Sequence, residues 1–156
     1  MTTVYFVCIG NTCRSPIAAE LFNQKLQAYG IEGIRAESFG ISPFYADSEE
    51  VRRLREAAVV GVTGRINGLK RHRPRGIGDI SFSDGDKIVL LDGGSVNELL
   101  SGIKGNPSFK NKKVPVIIID IQDPFGGGLK DYIECCLELE EALEESLDLL
   151  IGGVCA

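Results

Sequence analysis

Residues 8–16 read CIGNTCRSP, and the segments on either side of this stretch decide the fold. The preceding segment, TVYFVCI (3–9), has the β-branched and aromatic composition of a buried strand. The following pattern predicts a helix with Ser15 as N-cap, Pro16 at its first position and Gly30 at its end. The quoted stretch is therefore predicted to be a tight loop that joins a strand to a helix.

The rest of the chain alternates between strand-like and helix-like segments. Further strands are predicted over 33–41, 86–92 and 113–121, and further helices over 47–61, 95–102 and 129–150. Asp47 and Glu50 form a capping-box pattern at the start of the second helix. Segment 62–85 is rich in Gly and Arg and is predicted to be mostly loop. Such alternation predicts one α/β domain over 1–156, with three αβα layers around a parallel sheet.

The bulk composition excludes several classes of protein. A net charge of −5 argues against a general nucleic-acid binder. The five cysteines show no paired CxxC spacing and there is one histidine, so neither a disulfide framework nor a metal site is expected. The N-terminus does not resemble a secretory signal, and no apolar run approaches the length of a membrane span. A cytoplasmic protein without a membrane or nucleic-acid partner is expected.

Charge is distributed unevenly along the chain. Segment 65–75 contains bases and no acid, whereas segment 131–148 contains acids and no base. Two interpretations stay open: both segments are solvated faces, or the basic one attracts an acidic or phosphorylated partner. His72 lies between arginines and is expected to be exposed rather than catalytic.

The loop after the first strand has the residue types that bind an oxyanion. Ligands of parallel α/β folds bind at the carboxyl ends of strands, and loop N–H groups beside a helix N-terminus attract phosphate. Gly10 permits a sharp turn, Asn11 tolerates a left-handed conformation, and Arg14 offers a planar fork for two oxygens. The phosphate-binding residues are predicted to be Ile9, Gly10, Asn11, Thr12, Cys13, Arg14 and Ser15.

Cys8 is the predicted nucleophile of this loop. A free thiol is mostly protonated at neutral pH, and making it about 3 pH units more acidic needs about 4 kcal/mol. A helix N-terminus supplies at most about 2 kcal/mol. The remainder must come from loop N–H groups, Arg14 and the Ser15 hydroxyl. The loop that binds phosphate would then also hold a thiolate that can attack phosphorus.

Such an attack needs an acid that protonates the leaving group, and no carboxylate precedes Cys8. The best candidate is Asp123 in DPFGGG, which follows the last predicted strand at the same sheet edge as Cys8. Asp92 and Asp120 also end strands. They are the alternatives, with supporting or structural roles expected for both.

Two motifs now carry a resemblance to a known family. FVCIGNTCRSPIAAELF, together with DPFGG before the last helix, resembles the low-molecular-weight protein tyrosine phosphatases over nearly the whole chain except 62–85. The resemblance implies a four-stranded parallel sheet with a CX5R loop after the first strand. It also implies that Cys8 forms a phosphocysteine, that Arg14 stabilises the transition state, and that Asp123 donates and later accepts a proton. Phosphorylated proteins are the implied partners, inorganic phosphate or a similar oxyanion binds in the loop, and no metal or organic cofactor is needed.

The substrate stays open between phosphotyrosine and phosphoarginine. Thr12 stands where tyrosine-directed members usually carry isoleucine, and with DPFGG it looks more like the protein arginine phosphatases of the family. Asp92 favours the tyrosine-directed members instead. The expected pocket walls are Thr12, Phe44, Tyr45 and Phe125.

A reversible Cys8–Cys13 disulfide is expected to protect the nucleophile from over-oxidation. Cys136 is expected in the core, and Cys155 at a frayed end. An arsenate reductase of the same fold is one alternative, but it needs further mid-chain cysteines that are absent between Arg14 and Glu134. A thiol-redox or phosphoprotein-binding regulator without turnover is the other.

Overall fold

The computed structural model describes residues 1–43 and 46–152, and its elements follow the predicted alternation. The strands are β1 (Thr2–Cys8), β2 (Ile34–Gly40), β3 (Lys87–Leu90) and β4 (Val116–Ile118). The α-helices are α1 (Arg14–Ala28), α2 (Glu49–Thr63), α3 (Val96–Lys104), α4 (Leu129–Glu145) and α5 (Leu147–Ile151). Short 3-10 helices lie in the connections, at Gly68–Arg71, Ile77–Asp79, Gly93–Ser95 and Pro107–Phe109.

The strands form a four-stranded parallel sheet in the order β2-β1-β3-β4. β1 is therefore an inner strand, paired on both sides. Its carboxyl end lies in the middle of the sheet edge, where parallel folds bind ligands. The sheet order thus places the loop after β1 at the centre of that edge.

Helices cover both faces of the sheet, so the predicted three-layer fold is confirmed. Val4 and Phe6 of β1 pack into a core cluster with residues of α1, α2, α4 and α5. Tyr5 and Val7 point the other way and pack with Leu99 of α3. Side chains alternate between the faces of a strand, and each large apolar residue buried in this way contributes about 2–3 kcal/mol. Within the described residues no helix is both long and apolar enough to cross a lipid bilayer.

The predicted N-cap of α1 is wrong. The helix begins at Arg14 with Cys13 as its N-cap, and Cys13 makes no side-chain capping bond. The Ser15 hydroxyl is engaged by the Cys8 thiol and the Asn11 amide. Because that hydroxyl points into the loop, it does not cap the helix.

The capping box predicted for α2 is also wrong. Ser48 is the N-cap, and its hydroxyl accepts a hydrogen bond from the Val51 N–H at 3.1 Å. The carboxylate of Asp47 forms an ion pair with Arg52 at 3.1 Å. The cap therefore lies one residue later than the sequence pattern indicated.

The last strand and the last helix are shorter than predicted. β4 covers only Val116–Ile118 of the predicted 113–121, because it is an edge strand paired on one side, with Val116 and Ile118 exposed. The helix predicted over 129–150 is divided into α4 and α5 at Ser146. Neither difference affects the edge of the sheet at which β1 ends.

Candidate active site

Asn11 anchors the loop that follows β1. Its φ of 57° is left-handed, as the sequence predicted. Its fully buried amide donates hydrogen bonds to the hydroxyls of Ser15 and Ser38, both at 2.9 Å. Its side-chain oxygen accepts a bond from the Arg75 N–H at 2.9 Å. Asn11 thus ties the loop to α1, to β2 and to segment 62–85.

Cys8 ends β1, and its Sγ lies 2.9 Å from the Ser15 Oγ. A hydroxyl at this distance can donate a hydrogen bond to the sulfur. Cys8 lies on the wall of a cavity of about 240 Å³. The described residues that line the cavity are Cys8, Ile9, Gly10, Thr12, Cys13, Arg14, Ala46, Asp92, Ser95, Glu98, Asp123 and Phe125.

Arg14 brings a buried positive charge to this cavity. Its Nη1 donates to the Ile121 carbonyl at 3.1 Å, and its Nη2 lies 3.2 Å from the Asp92 Oδ2. Burial acts to lower the pKa of Arg14, but Cys8, Asp123 and Asp92 outweigh it and raise that pKa. The buried Arg14 Nε has no hydrogen-bond partner among the described residues. A buried donor of this kind is suited to an oxyanion.

The carboxylates near the cavity are held in different ways. The Asp123 Oδ2 lies 3.5 Å from the Arg14 Nη2, while its Oδ1 accepts the Phe125 N–H at 3.0 Å. Asp92 lies against Arg14, and Asp120 accepts the Gly93 N–H at 2.8 Å. Asp123 is the most exposed partner of Arg14, with a side chain 41% accessible. No cluster of three possible metal ligands occurs in 1–43 or 46–152.

The expected pocket walls are partly visible. Thr12 is buried and lines the cavity, and Phe125 lines it with its side chain half exposed. Phe44 and Tyr45 lie outside the described residues. The cavity therefore has one aromatic wall among the residues that the structure describes.

The remaining cysteines differ from Cys8 in their surroundings. Cys13 is buried with its Sγ 3.6 Å from the Tyr132 hydroxyl, and burial raises its pKa to about 11. Cys13 is therefore a neutral thiol at pH 7, and the Cys8–Cys13 disulfide stays a prediction. Cys136 lies in the core, as expected, and so does Cys135. Cys155 lies outside the described residues.

The expectation that His72 is exposed is wrong. The ring is partly buried, and its Nε2 lies 2.7 Å from the Asn11 carbonyl oxygen. Burial lowers the pKa of His72 to about 4, so the ring is neutral at pH 7. Since a carbonyl only accepts, the Nε2 carries the proton and donates it. His72 thus supports the loop from outside the cavity.

The basic segment 65–75 has both exposed and inward-packed charges, and attraction of an acidic or phosphorylated partner stays a prediction. Lys70, Arg71 and Arg73 are exposed. Arg75 packs inward, where its Nε donates to the Ser38 carbonyl at 2.9 Å. The segment is thus part support for the loop and part solvated face.

Sequence reasoning also missed Gly40 and Arg55. A Cβ on Gly40 would lie 2.6 Å from the Ile9 oxygen and 2.9 Å from the Asn11 nitrogen, so only glycine lets β2 end this close to the loop. Arg55 of α2 is buried and its Nη1 donates to the Thr12 carbonyl at 2.8 Å. Its helical spacing from Val51, with which it shares a buried face, was the available signal.

A family model described as low molecular weight phosphotyrosine protein phosphatase matches residues 3–151. The chain belongs to this family. A low molecular weight protein-tyrosine-phosphatase of Streptomyces coelicolor is 31% identical, over 92% of this chain and 90% of the relative. A protein-arginine-phosphatase of Geobacillus stearothermophilus is 26% identical, over 94% of this chain and 95% of the relative. The family predicted from the sequence is confirmed.

Solved structures show the same fold. The low molecular weight protein tyrosine phosphatase from T. tengcongensis superimposes with a TM-score of 0.71 at 25% identity, covering 96% of this chain and 100% of that one. An arsenate reductase also shares the fold, with a TM-score of 0.63 at 20% identity, covering 96% of this chain and 99% of that one. At 20% identity, the similarity to the arsenate reductase shows a shared fold alone.

Proposed function

We propose that this chain is a cysteine-dependent protein phosphatase that acts on phosphorylated side chains. The observation that carries the proposal is the convergence of three groups on one cavity. The Cys8 sulfur lies 2.9 Å from a hydroxyl donor, and the Arg14 guanidinium lies 3.5 Å from the Asp123 carboxylate. A nucleophile, a cationic anion-binding group and a proton donor are the parts that phosphoryl transfer to sulfur requires.

In the first step the Cys8 thiolate attacks phosphorus and forms a P–S bond. The bond between phosphorus and the leaving oxygen or nitrogen breaks, and Asp123 gives its proton to the leaving atom. The Arg14 fork and the loop N–H groups stabilise the charge that develops on the other phosphoryl oxygens. Ser15 stabilises the sulfur anion before the attack.

In the second step Asp123, now a carboxylate, takes a proton from a water molecule that attacks the phosphocysteine. The P–S bond breaks, the Cys8 thiolate is restored and inorganic phosphate leaves the loop. The exposure of Asp123 at the cavity mouth is compatible with access of both the leaving group and water.

We infer phosphoarginine rather than phosphotyrosine as the substrate from the charge in the cavity, to which Asp92 contributes although an aspartate there resembles the tyrosine-directed members. Besides the proton donor Asp123, two residues with carboxylates line the cavity, namely Asp92 and Glu98. A guanidinium group carries positive charge that these carboxylates attract, whereas a phenol ring carries none. The Thr12 hydroxyl adds a group that can accept a hydrogen bond from a guanidinium nitrogen.

The test compares hydrolysis of matched phosphotyrosine and phosphoarginine peptides by the parent protein and by Thr12→Ile. We expect the parent to prefer phosphoarginine, and Thr12→Ile to shift kcat/KM toward phosphotyrosine. Absence of phosphoarginine turnover by the parent would refute the substrate assignment. If the parent hydrolysed neither peptide, or if Cys8→Ser kept full activity, the proposal of a cysteine-dependent phosphatase would be refuted.

A further inference from the structure

Arg55 is a buried cation that forms no ion pair with the described residues. Its side chain is 1% exposed, although arginine is seldom buried without a paired carboxylate. Among the described residues no acid lies within ion-pair distance of it, and its Nε has no hydrogen-bond partner. Burial lowers the pKa of Arg55, and arginine nevertheless stays charged at neutral pH.

The hydrogen bond that Arg55 makes with the described residues leads to the anion-binding loop. The Arg55 Nη1 donates to the Thr12 carbonyl at 2.8 Å, and the carboxylates of Glu56 and Asp47 act on its charge from beyond ion-pair distance. The 12–13 peptide is trans, so its N–H points away from the carbonyl and from Arg55. A charged donor on a carbonyl polarises the whole peptide and makes its N–H a stronger donor.

We propose that Arg55 is a positioning residue of the oxyanion site, a second cation that holds the 12–13 peptide from outside the loop and strengthens its grip on thiolate and phosphate. The inference rests on the proposed function, because it concerns the same site. A buried cation without an ion pair is costly, and an anion in the loop adds to the opposite charge of Glu56 and Asp47, which lie beyond ion-pair distance. Arg14 faces that anion from inside the cavity, whereas Arg55 contacts the loop main chain from outside the cavity.

The variants that test this separate charge from packing. Arg55→Met removes the charge and keeps an unbranched chain of similar length. Arg55→Lys keeps the charge. Arg53→Met removes the same charge from an exposed position of the same helix, and is the matched control. Each variant is first checked for cooperative unfolding by urea.

The first measurement is the affinity for tungstate, a phosphate analogue, by calorimetry. We expect Arg55→Met to bind tungstate about 10-fold more weakly than the parent, the effect of one charge-assisted hydrogen bond. Arg53→Met should stay within about 2-fold of the parent, and Arg55→Lys should lie between the two, because its charge remains. Equal affinities for Arg55→Met and Arg53→Met would overturn the inference.

The second measurement is the pH dependence of alkylation by iodoacetamide below pH 8, where the other described cysteines are neutral thiols. Several charged or titratable groups line the cavity with the reacting sulfur of Cys8, namely Cys13, Arg14, Asp92, Glu98 and Asp123. All of them are common to the variants, so a difference between variants reports residue 55. We expect the midpoint to rise by about 0.5 to 1 pH unit in Arg55→Met, and not in Arg53→Met.

If Arg55 served folding alone, Arg55→Met would unfold at a lower urea concentration than the parent. Replacing an unpaired buried charge by an apolar group is often neutral or stabilising, so we expect Arg55→Met to unfold at the same urea concentration as the parent or a higher one. If neither Arg55 variant folds, the residue is structural and the inference is wrong. If the parent binds tungstate but hydrolyses neither phosphopeptide, the proposed function fails while the affinity comparison still tests Arg55.

Discussion

His72 is expected to make the protein sensitive to mild acid, because burial and two neighbouring arginines disfavour the protonated ring in the folded state. Burial lowers its pKa to about 4, and the positive charges of Arg55 and Arg75 act in the same direction. In the unfolded chain a histidine titrates near pH 6.5. Between these two pKa values, the unfolded state therefore binds a proton that the folded state does not bind. The contribution to stability is complete above pH 6.5 and is lost as the pH falls toward 4.

The size of the loss follows from the two pKa values. At pH 5 nearly all unfolded chains carry the proton and only about a tenth of folded ones do, which corresponds to about 2 kcal/mol. Partial exposure of the ring reduces this to between about 1 and 2 kcal/mol. Against a typical stability of about 5–15 kcal/mol, such a loss is measurable.

The assay is urea unfolding at pH 7 and pH 5 of the parent and of His72→Gln. Glutamine can still donate to the Asn11 carbonyl but does not titrate, and the chain has a single histidine. Carboxylates are common to both proteins, so their contributions cancel in the difference. The parent should lose about 1–2 kcal/mol more than His72→Gln between the two pH values. Equal losses would show that the ring is not held neutral, and would refute the reasoning.

Two further predictions concern the acid and the glycine behind the loop. Asp123→Asn should slow turnover of poor leaving groups by about 100-fold or more and that of activated aryl phosphates far less, and equal losses would remove Asp123 as proton donor. Gly40→Ala should lower the free energy of unfolding by about 1–3 kcal/mol and weaken tungstate binding, because its Cβ would lie 2.6 Å from the Ile9 oxygen. Gly61→Ala is the control, since a Cβ there meets no atom within 4 Å and should not destabilise the helix.

The candidate site could be predicted largely because most of it is local. The sulfur, the arginine and the hydroxyl all lie within residues 8–15, and a strand followed by a helix fixes how they face one another. Asp123 lies far along the chain, but the parallel sheet brings the ends of its strands to one edge. The error at Ser15 has a local cause as well, since the pattern of a cap residue does not reveal which of two competing partners takes the hydroxyl.

The supports of the loop were missed because they act over long separations. His72 and Asn11 lie 61 positions apart, and Arg55 and Thr12 lie 43 apart. Nothing in the composition of segment 62–85 indicates that it returns to the loop. Arg55 was detectable in principle, since it follows Val51 by four positions and precedes Val59 by four, on the buried face of α2. A charged side chain on a helix is normally expected to face solvent, so the four-residue spacing did not identify Arg55 as buried.

The two side chains that support the loop from outside the cavity, His72 and Arg55, both donate hydrogen bonds to main-chain carbonyls, and this suits an anion-binding loop. His72 donates to the Asn11 carbonyl and Arg55 donates to the Thr12 carbonyl, so consecutive peptides of the loop are bonded through their oxygens. In a trans peptide, fixing the oxygen on one side fixes the N–H on the other. Donors placed outside the loop therefore orient its N–H groups toward its centre. The loop is then preorganised to bind an anion. Because the supports act on main-chain atoms, a different segment can provide them without any change in the loop sequence.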